Sequence, residues 1–376
     1  MAIIAARIGG CVSLGQGVPS FSTPAHIIDA VTHALRKDAG SGQCSLQTGM
    51  PDLRRCIARR TLEEKQVSVD PESEICVTVG GMEALLATVM TVVDEGDHVI
   101  LPSPTYASYT KQVLLAGGTP VYVPLTDTWQ LDLKCISEAI TTKTRALIIC
   151  SPGNPTGAVF PNEEILELCE LAVTNNFVIT NNFVIITDEA YDYMVYDGDT
   201  PVNPLSLDRF RNHVISISSL SKKYALTGWR VGWVLAATRW MEQIMKVHDA
   251  ATICSPSPSQ IAALAALEGD QQCIRDMRAE LTRRRALCCR RLDQLGDHFS
   301  YVPPKGAFYV MARYHFTDDK SDDVALRLLE EARVITIPGG TFGKGGEGHL
   351  RLSFGGEEKV INEAFDRIER WLLNVA

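Results

Sequence analysis

Residues Ser219-Leu220-Ser221-Lys222 and Thr227-Gly228-Trp229-Arg230 bring a primary amine, small hydroxyls and a guanidinium into one short stretch. A lysine is ordinarily a solvated surface charge. A neighbouring cation and partial burial lower its pKa, and the amine then becomes a nucleophile that can form an imine with a carbonyl compound. Here Arg230 lies eight residues beyond Lys222, and the strand-like run 214–217 ends just before the lysine. Open α/β sheets place their ligands beyond such strand ends. Arg230 offers a planar fork suited to phosphate, and Ser219 and Ser221 offer hydroxyl donors.

Other residues stand at comparable places. Asp188 follows the apolar run 183–187, where a carboxylate is costly unless a cation or strong donors meet it. Gly80-Gly81-Met82-Glu83 joins a strand to a helix, a turn that can present backbone N–H groups to an anion. Ser151-Pro152-Gly153-Asn154-Pro155-Thr156-Gly157 reads by itself as a turn. Arg351 alternates with leucines, as an edge-strand arginine with its head in water would.

The elements that must position these residues follow from periodicity. Strands are expected over 75–79, 98–101, 121–124, 146–150, 183–187, 214–217 and 231–235, with helical patterns over 27–35, 53–57, 82–93 and 165–173 between or before them. Strands interleaved with helices imply a mainly parallel sheet covered on both faces. After Ser255-Pro256-Ser257-Pro258 a long helical stretch spans 260–295, and strands over 307–311, 334–337 and 350–354 with two helices read as a smaller α+β part. Residues 175–180 and 181–187 nearly repeat each other (NNFVIT, NNFVIIT). The second copy leads into Asp188 and is expected as the buried strand; the first is expected as an exposed, strand-prone flap.

Composition narrows the class. A chain of 376 residues fits a large domain plus a smaller one. With 36 Lys+Arg against 45 Asp+Glu the net charge is −9, and no basic block interrupts it beyond short clusters such as Arg283-Arg284-Arg285 and Arg290-Arg291, which argues against a nucleic-acid partner. Eleven cysteines, an odd count without a CxxC pair, point to free thiols in a reducing cytoplasm. The eight histidines do not pair with them at metal-ligand intervals, so no metal is expected. No apolar run reaches the length of a membrane span, and the first residues do not form a signal peptide.

The SxSK…TGWRxG pattern resembles the cofactor-lysine segment of the class I aminotransferases of pyridoxal-phosphate fold type I, the aspartate-aminotransferase-like enzymes. The resemblance implies a large α/β domain with a mostly parallel seven-stranded sheet sandwiched by helices, plus a small α+β domain drawn from both termini. The corresponding boundaries are 1–40 for the N-terminal part of the small domain, 41–285 for the large domain and 286–376 for the C-terminal part. It further implies pyridoxal 5'-phosphate held by Lys222 as an imine, with Lys222 also the proton carrier. By the same resemblance Gly81, Met82, Ser219, Ser221 and Arg230 serve the phosphate and Tyr106 stacks on the ring. Asp188 pairs with the ring nitrogen, and Tyr191 and Asn154 meet the phenolic oxygen. For the substrate, Arg351 grips the α-carboxylate, Asn154 helps orient it, and Gly17 in Leu14-Gly15-Gln16-Gly17-Val18-Pro19 closes over it through the backbone.

The implied activity is ping-pong transfer of an amino group between an L-amino acid and a 2-oxo acid, in a homodimer with active sites at the interface. A β- or γ-eliminating lyase would use the same lysine, and a non-catalytic pyridoxal-phosphate-binding regulator is a more remote alternative. Two departures stand out: Cys44 occupies the position of a tyrosine that reaches the neighbouring subunit's phosphate, and only about a dozen residues precede the Leu14–Pro19 segment. Bracing of a dimer by an N-terminal arm is therefore not expected, and Gln43 or Gln47 is the nearest substitute for the missing phenol. No residue identifies itself as a clamp for a second carboxylate.

Overall fold

The computed structural model describes residues 2–178, 183–198 and 200–375. The expected apolar runs form one seven-stranded sheet: β1 (Ile75–Thr78), β2 (His98–Ser103), β3 (Thr119–Pro124), β4 (Thr144–Cys150), β5 (Val184–Asp188), β6 (Val214–Ser219) and β7 (Gly232–Ala236). Their spatial order is β1-β7-β6-β5-β4-β2-β3. Neighbours pair in parallel except at β7, which is antiparallel to both β1 and β6. The six other strands therefore end on one edge, and β7 begins there.

Both faces of this sheet are buried. Leu147, Ile149 and Ile185 enter one apolar core, and Ala146, Ile148, Val184 and Ile186 enter the other. That two-sided burial explains why these strands read as continuous apolar runs rather than alternating ones.

A second sheet holds β8 (Phe299–Tyr301), β9 (Tyr309–Tyr314), β10 (Ile337–Pro338) and β11 (His349–Ser353), in the antiparallel order β10-β11-β9-β8. Near the chain's start, Val12–Ser13 pairs in parallel with Val334–Ile335, and the Leu14 carbonyl accepts from the Ser353 N–H at 2.6 Å. The first residues are thereby carried to β11. Among the described residues no helix is long and apolar enough to cross a membrane.

Several expectations change. The helical stretch 260–295 breaks into Ser257–Glu268 and Gln272–Gln294 at Gly269. A Cβ there would lie 2.7 Å from both the Ala265 carbonyl and the His26 ring, so only glycine admits the approach of helix Ala25–Lys37. Ile27 and Val31 of that helix join the large-sheet core, although the segment 1–40 was expected with the small domain. Helix Gln272–Gln294 runs unbroken through position 285. The expected strand 334–337 divides, its halves pairing with Val12–Ser13 and with β11. Residues 175–178 extend helix Asn162–Val178 rather than forming a strand-prone flap, and 179–182 lie outside the described residues.

Candidate active site

At the common edge of the large sheet, facing β9 and β11, lies a cavity of about 460 Å³. Every residue singled out from the sequence for catalysis, cofactor or substrate lines it. The reason is topological: most follow strands that end there, Arg230 precedes the reversed β7, Arg351 sits on β11 opposite, and Gly17 lies on the segment after Val12–Ser13.

Beyond β6, Ser219 caps the short helix Leu220–Lys223: its Oγ accepts from the Ser221 N–H at 3.2 Å and lies 3.0 Å from the Ser221 hydroxyl. The turn directs Lys222 into the cavity, where its Nζ donates to the Gly17 carbonyl at 2.5 Å. Burial and then the cations Arg230 and Arg351 lower its pKa, Asp188 opposes them, and the amine comes down to about 8. Its neighbour Lys223 pairs instead with Glu64 at 2.8 Å.

Asp188 ends β5. Its carboxylate accepts from the Tyr109 hydroxyl at 2.8 Å and from the Ala190 N–H at 3.2 Å. Burial pushes its pKa up, and those two donors only partly offset the effect. Tyr191, one turn further, places its hydroxyl 2.9 Å from that of Tyr309.

The turn after β4 carries Asn154, whose Oδ1 accepts from Arg351 Nη1 at 3.0 Å. Arg351 Nη2 donates to the Gly15 carbonyl at 2.7 Å, and the guanidinium lies 4.5 Å from the Tyr309 ring centroid. Only 6% of Arg351 is exposed, yet its Nε–H has no partner among the described residues. Buried donors of this kind are costly when unmet, so this guanidinium is shaped for an acceptor.

After β1 the chain turns at Gly80, with φ +78°. A Cβ there would come 2.7 Å from an Arg230 guanidinium nitrogen, so glycine both permits the turn and makes room for the arginine. Arg230 adopts φ +54° and donates to the Thr227 carbonyl at 3.0 Å. Helix Gly81–Val92 then begins at the cavity. Its first amides, those of Gly81 and Met82, have no acceptor within the helix. With Ser219, Ser221, Thr227 and Arg230 around them they form an anion cradle. Tyr106, after β2, packs edge-on against Tyr109 with centroids 5.5 Å apart.

Tyr109 and Tyr309 are site residues that the motifs did not reveal, and Thr227, within the TGWR segment, is one to which no role was given. Tyr109 lies one helical turn beyond Tyr106, which is a readable signal. Tyr309 is diagonal to Arg351 across the β9–β11 pairing, which no linear pattern shows. Cys44 is exposed and does not line the cavity. The Gln47 side chain donates to Asp249 at 2.8 Å.

Comparison with known proteins agrees with this geometry. Residues 10–368 match the family described as aminotransferase class I and II. The chain is 36% identical to the aromatic-amino-acid aminotransferase 2 of Thermococcus litoralis and 36% identical to the aspartate aminotransferase of Pyrococcus abyssi, each match covering 98% of this chain and 93% of the relative. Among solved structures it superimposes on the aromatic aminotransferase of Pyrococcus horikoshii OT3 with a TM-score of 0.91 at 35% identity, over 99% of this chain and 98% of that one. The Thermus thermophilus aspartate aminotransferase with maleate gives 0.90 at 33%, over 98% and 94%. Shared sequence over nearly the whole length and shared fold agree: this chain belongs to the class I and II aminotransferase family and is an aminotransferase.

Proposed function

We propose that this cavity holds pyridoxal 5'-phosphate and moves an amino group between an L-amino acid and a 2-oxo acid. The observation that carries the reading is one cavity containing a lysine lowered to about 8, a buried carboxylate that makes no salt bridge among the described residues, and an arginine with an unmade N–H. When bound, the cofactor supplies an aldehyde and a ring that accepts electron density from the substrate Cα.

The chain's residues divide the remaining tasks. Gly81, Met82, Ser219, Ser221 and Arg230 hold the phosphate, and Tyr106 covers the ring. Asp188, short of a positive partner, holds a proton on the ring nitrogen. Tyr191 and Asn154 direct donors to the phenolic oxygen. Neutral Lys222 would be the amine that holds the cofactor's aldehyde and, when freed by the substrate amine, would carry the proton from the substrate Cα to the former aldehyde carbon across the imine nitrogen. Arg351 binds the α-carboxylate with its free Nε–H and a neighbouring N–H, a bidentate geometry, and Gly17 bounds the site with its backbone.

Two chains are proposed to associate. Exposed Leu46, Met82, Met90 and Ile253, on elements flanking the cradle, support a self-association surface. Eleven free cysteines support a reducing cytoplasm as its place.

The test is a half-reaction. Purified holoenzyme is mixed with single amino acids, beginning with aspartate and the aromatic ones, for which the relatives are named. Stoichiometric pyridoxamine phosphate and 2-oxo acid are expected. Ammonia and 2-oxo acid without pyridoxamine phosphate would overturn amino transfer in favour of elimination.

A further inference from the structure

We propose that His248 is a positioning residue for the anion cradle, pinning the turn 79–82 through Glu83 and the loop 43–49 through Gln47; this rests on the cofactor reading above. His248 sits on helix Thr238–Thr252, outside the cavity, and is fully buried. Its Nδ1 is 3.1 Å from Glu83 Oε1, and its Nε2 is 3.0 Å from the Gln47 carbonyl. The Thr252 hydroxyl, 3.4 Å from Nδ1, is the remaining polar neighbour of the ring. One histidine therefore joins the helix start to the loop, adding a side-chain pin to the backbone bond by which the Val77 N–H meets the Thr48 carbonyl at 3.0 Å.

Glu83 explains why the contact bears on an anion. It stands in the first turn of helix Gly81–Val92, the helix whose opening amides face the cavity. A carboxylate there suits the bare helix end, but it repels a phosphate bound at the same end. Glu83 is turned away from the cavity and its two oxygens are engaged, Oε2 by the Val79 N–H at 3.1 Å and Oε1 by His248. With Glu83 at one ring nitrogen and the Gln47 carbonyl at the other, the imidazole holds the Glu83 carboxylate on the side of the helix away from the cavity and so keeps it apart from a bound phosphate. The Val79 contact at the same time fixes the turn that aims the Gly81 and Met82 amides.

The second pin matters because the loop 43–49 carries Cys44. The loop is held to the same region, with Gln47 donating to Asp249 at 2.8 Å and Gln260 donating to the Ser45 hydroxyl at 2.8 Å. His248 thus ties the cradle to the loop that carries Cys44.

The discriminating experiment compares cofactors with and without phosphate. Apo-protein is titrated with pyridoxal phosphate and with pyridoxal, following absorbance of the lysine adduct, for wild type, His248→Phe and His248→Gln. His248→Phe is expected to weaken pyridoxal phosphate about tenfold, the scale of a lost partner to a buried charge, while pyridoxal binds as before. His248→Gln, which can still donate to one acceptor, is expected to fall between, and serves alone if the phenylalanine variant does not fold. Equal losses for both aldehydes, or no loss for either, would overturn the proposal. Failure of wild type to take up either aldehyde would instead overturn the cofactor reading itself.

Discussion

Lys222 and Lys65 are both withdrawn from solvent, and they lie on opposite sides of the same strand end. Lys222 faces Arg230 and Arg351 across the active-site cavity, and its pKa falls to about 8. Lys65 borders a second cavity of about 520 Å³, reaches Glu189 and lies 2.6 Å from Asp192, and its pKa is pushed up by those carboxylates against the opposing effect of burial. The carboxylates that end β5 divide in the same way. Glu189 is saturated, accepting from Thr187, Asn203 and Ser216 besides Lys65. Asp188, its chain neighbour, has one hydroxyl and one amide and, among the described residues, no salt bridge. Burial acts on both lysines, so burial does not distinguish them; charged partners do. Beside the larger cavity Lys65 and Glu189 are paired, whereas in the smaller one Arg351 keeps an unmet N–H and Asp188 makes no salt bridge among the described residues.

The contrast can be broken from the reactive side first. Lys222→Ala is expected to reduce amino transfer by about 10⁴-fold or more, the upper range for loss of a general acid–base group, measured as single-turnover formation of pyridoxamine phosphate. Asp188→Asn keeps the shape and removes the charge; a loss of about 10²- to 10³-fold in kcat is expected, as for one preorganised electrostatic partner. The pH dependence sharpens the same point. A lowered lysine pKa means that neutral amine accumulates earlier, so aldehyde capture by apo-protein should rise about tenfold per pH unit up to about pH 8 and then level off, whereas an ordinary lysine would keep gaining beyond pH 10.

Lys65→Met should act on stability instead. It strands Glu189 and Asp192, and because the side chains of the trio keep between 10% and 21% exposure the cost falls between that of surface and buried pairs. A loss of about 2 kcal/mol in urea unfolding is expected, with aldehyde capture at Lys222 unchanged. Cys44→Tyr is the smallest change: restoring a phenol is expected to tighten pyridoxal phosphate about fivefold, the worth of one hydrogen bond, in an equilibrium titration.

Much of this was legible in the sequence because parallel strands carry local signals. Each strand is buried on both faces and so appears as an unbroken apolar run, and the residue just past its end falls on one shared edge. That rule alone locates Gly81, Tyr106, Asn154, Asp188 and Lys222 together. Arg230 follows too, because β7 is reversed and starts where the others stop. What escaped was set by contacts between distant segments. Tyr309 reaches Tyr191 across 118 residues, and His248 reaches Glu83 across 165, with no periodicity to announce either. The packing of helix Ala25–Lys37 on the large-sheet core is set in the same way, since its partner across Gly269 lies far along the chain.

The most direct test of the central claim is to locate the reactive amine. Holoenzyme is reduced with borohydride, which converts the lysine–aldehyde adduct into a stable secondary amine, then digested and mapped by mass spectrometry. The phosphopyridoxyl group is expected on Lys222 alone, with Lys223 and Lys65 unmodified because carboxylates hold both of them. A label on Lys223 or Lys65, or an unlabelled Lys222 in active enzyme, would contradict the account.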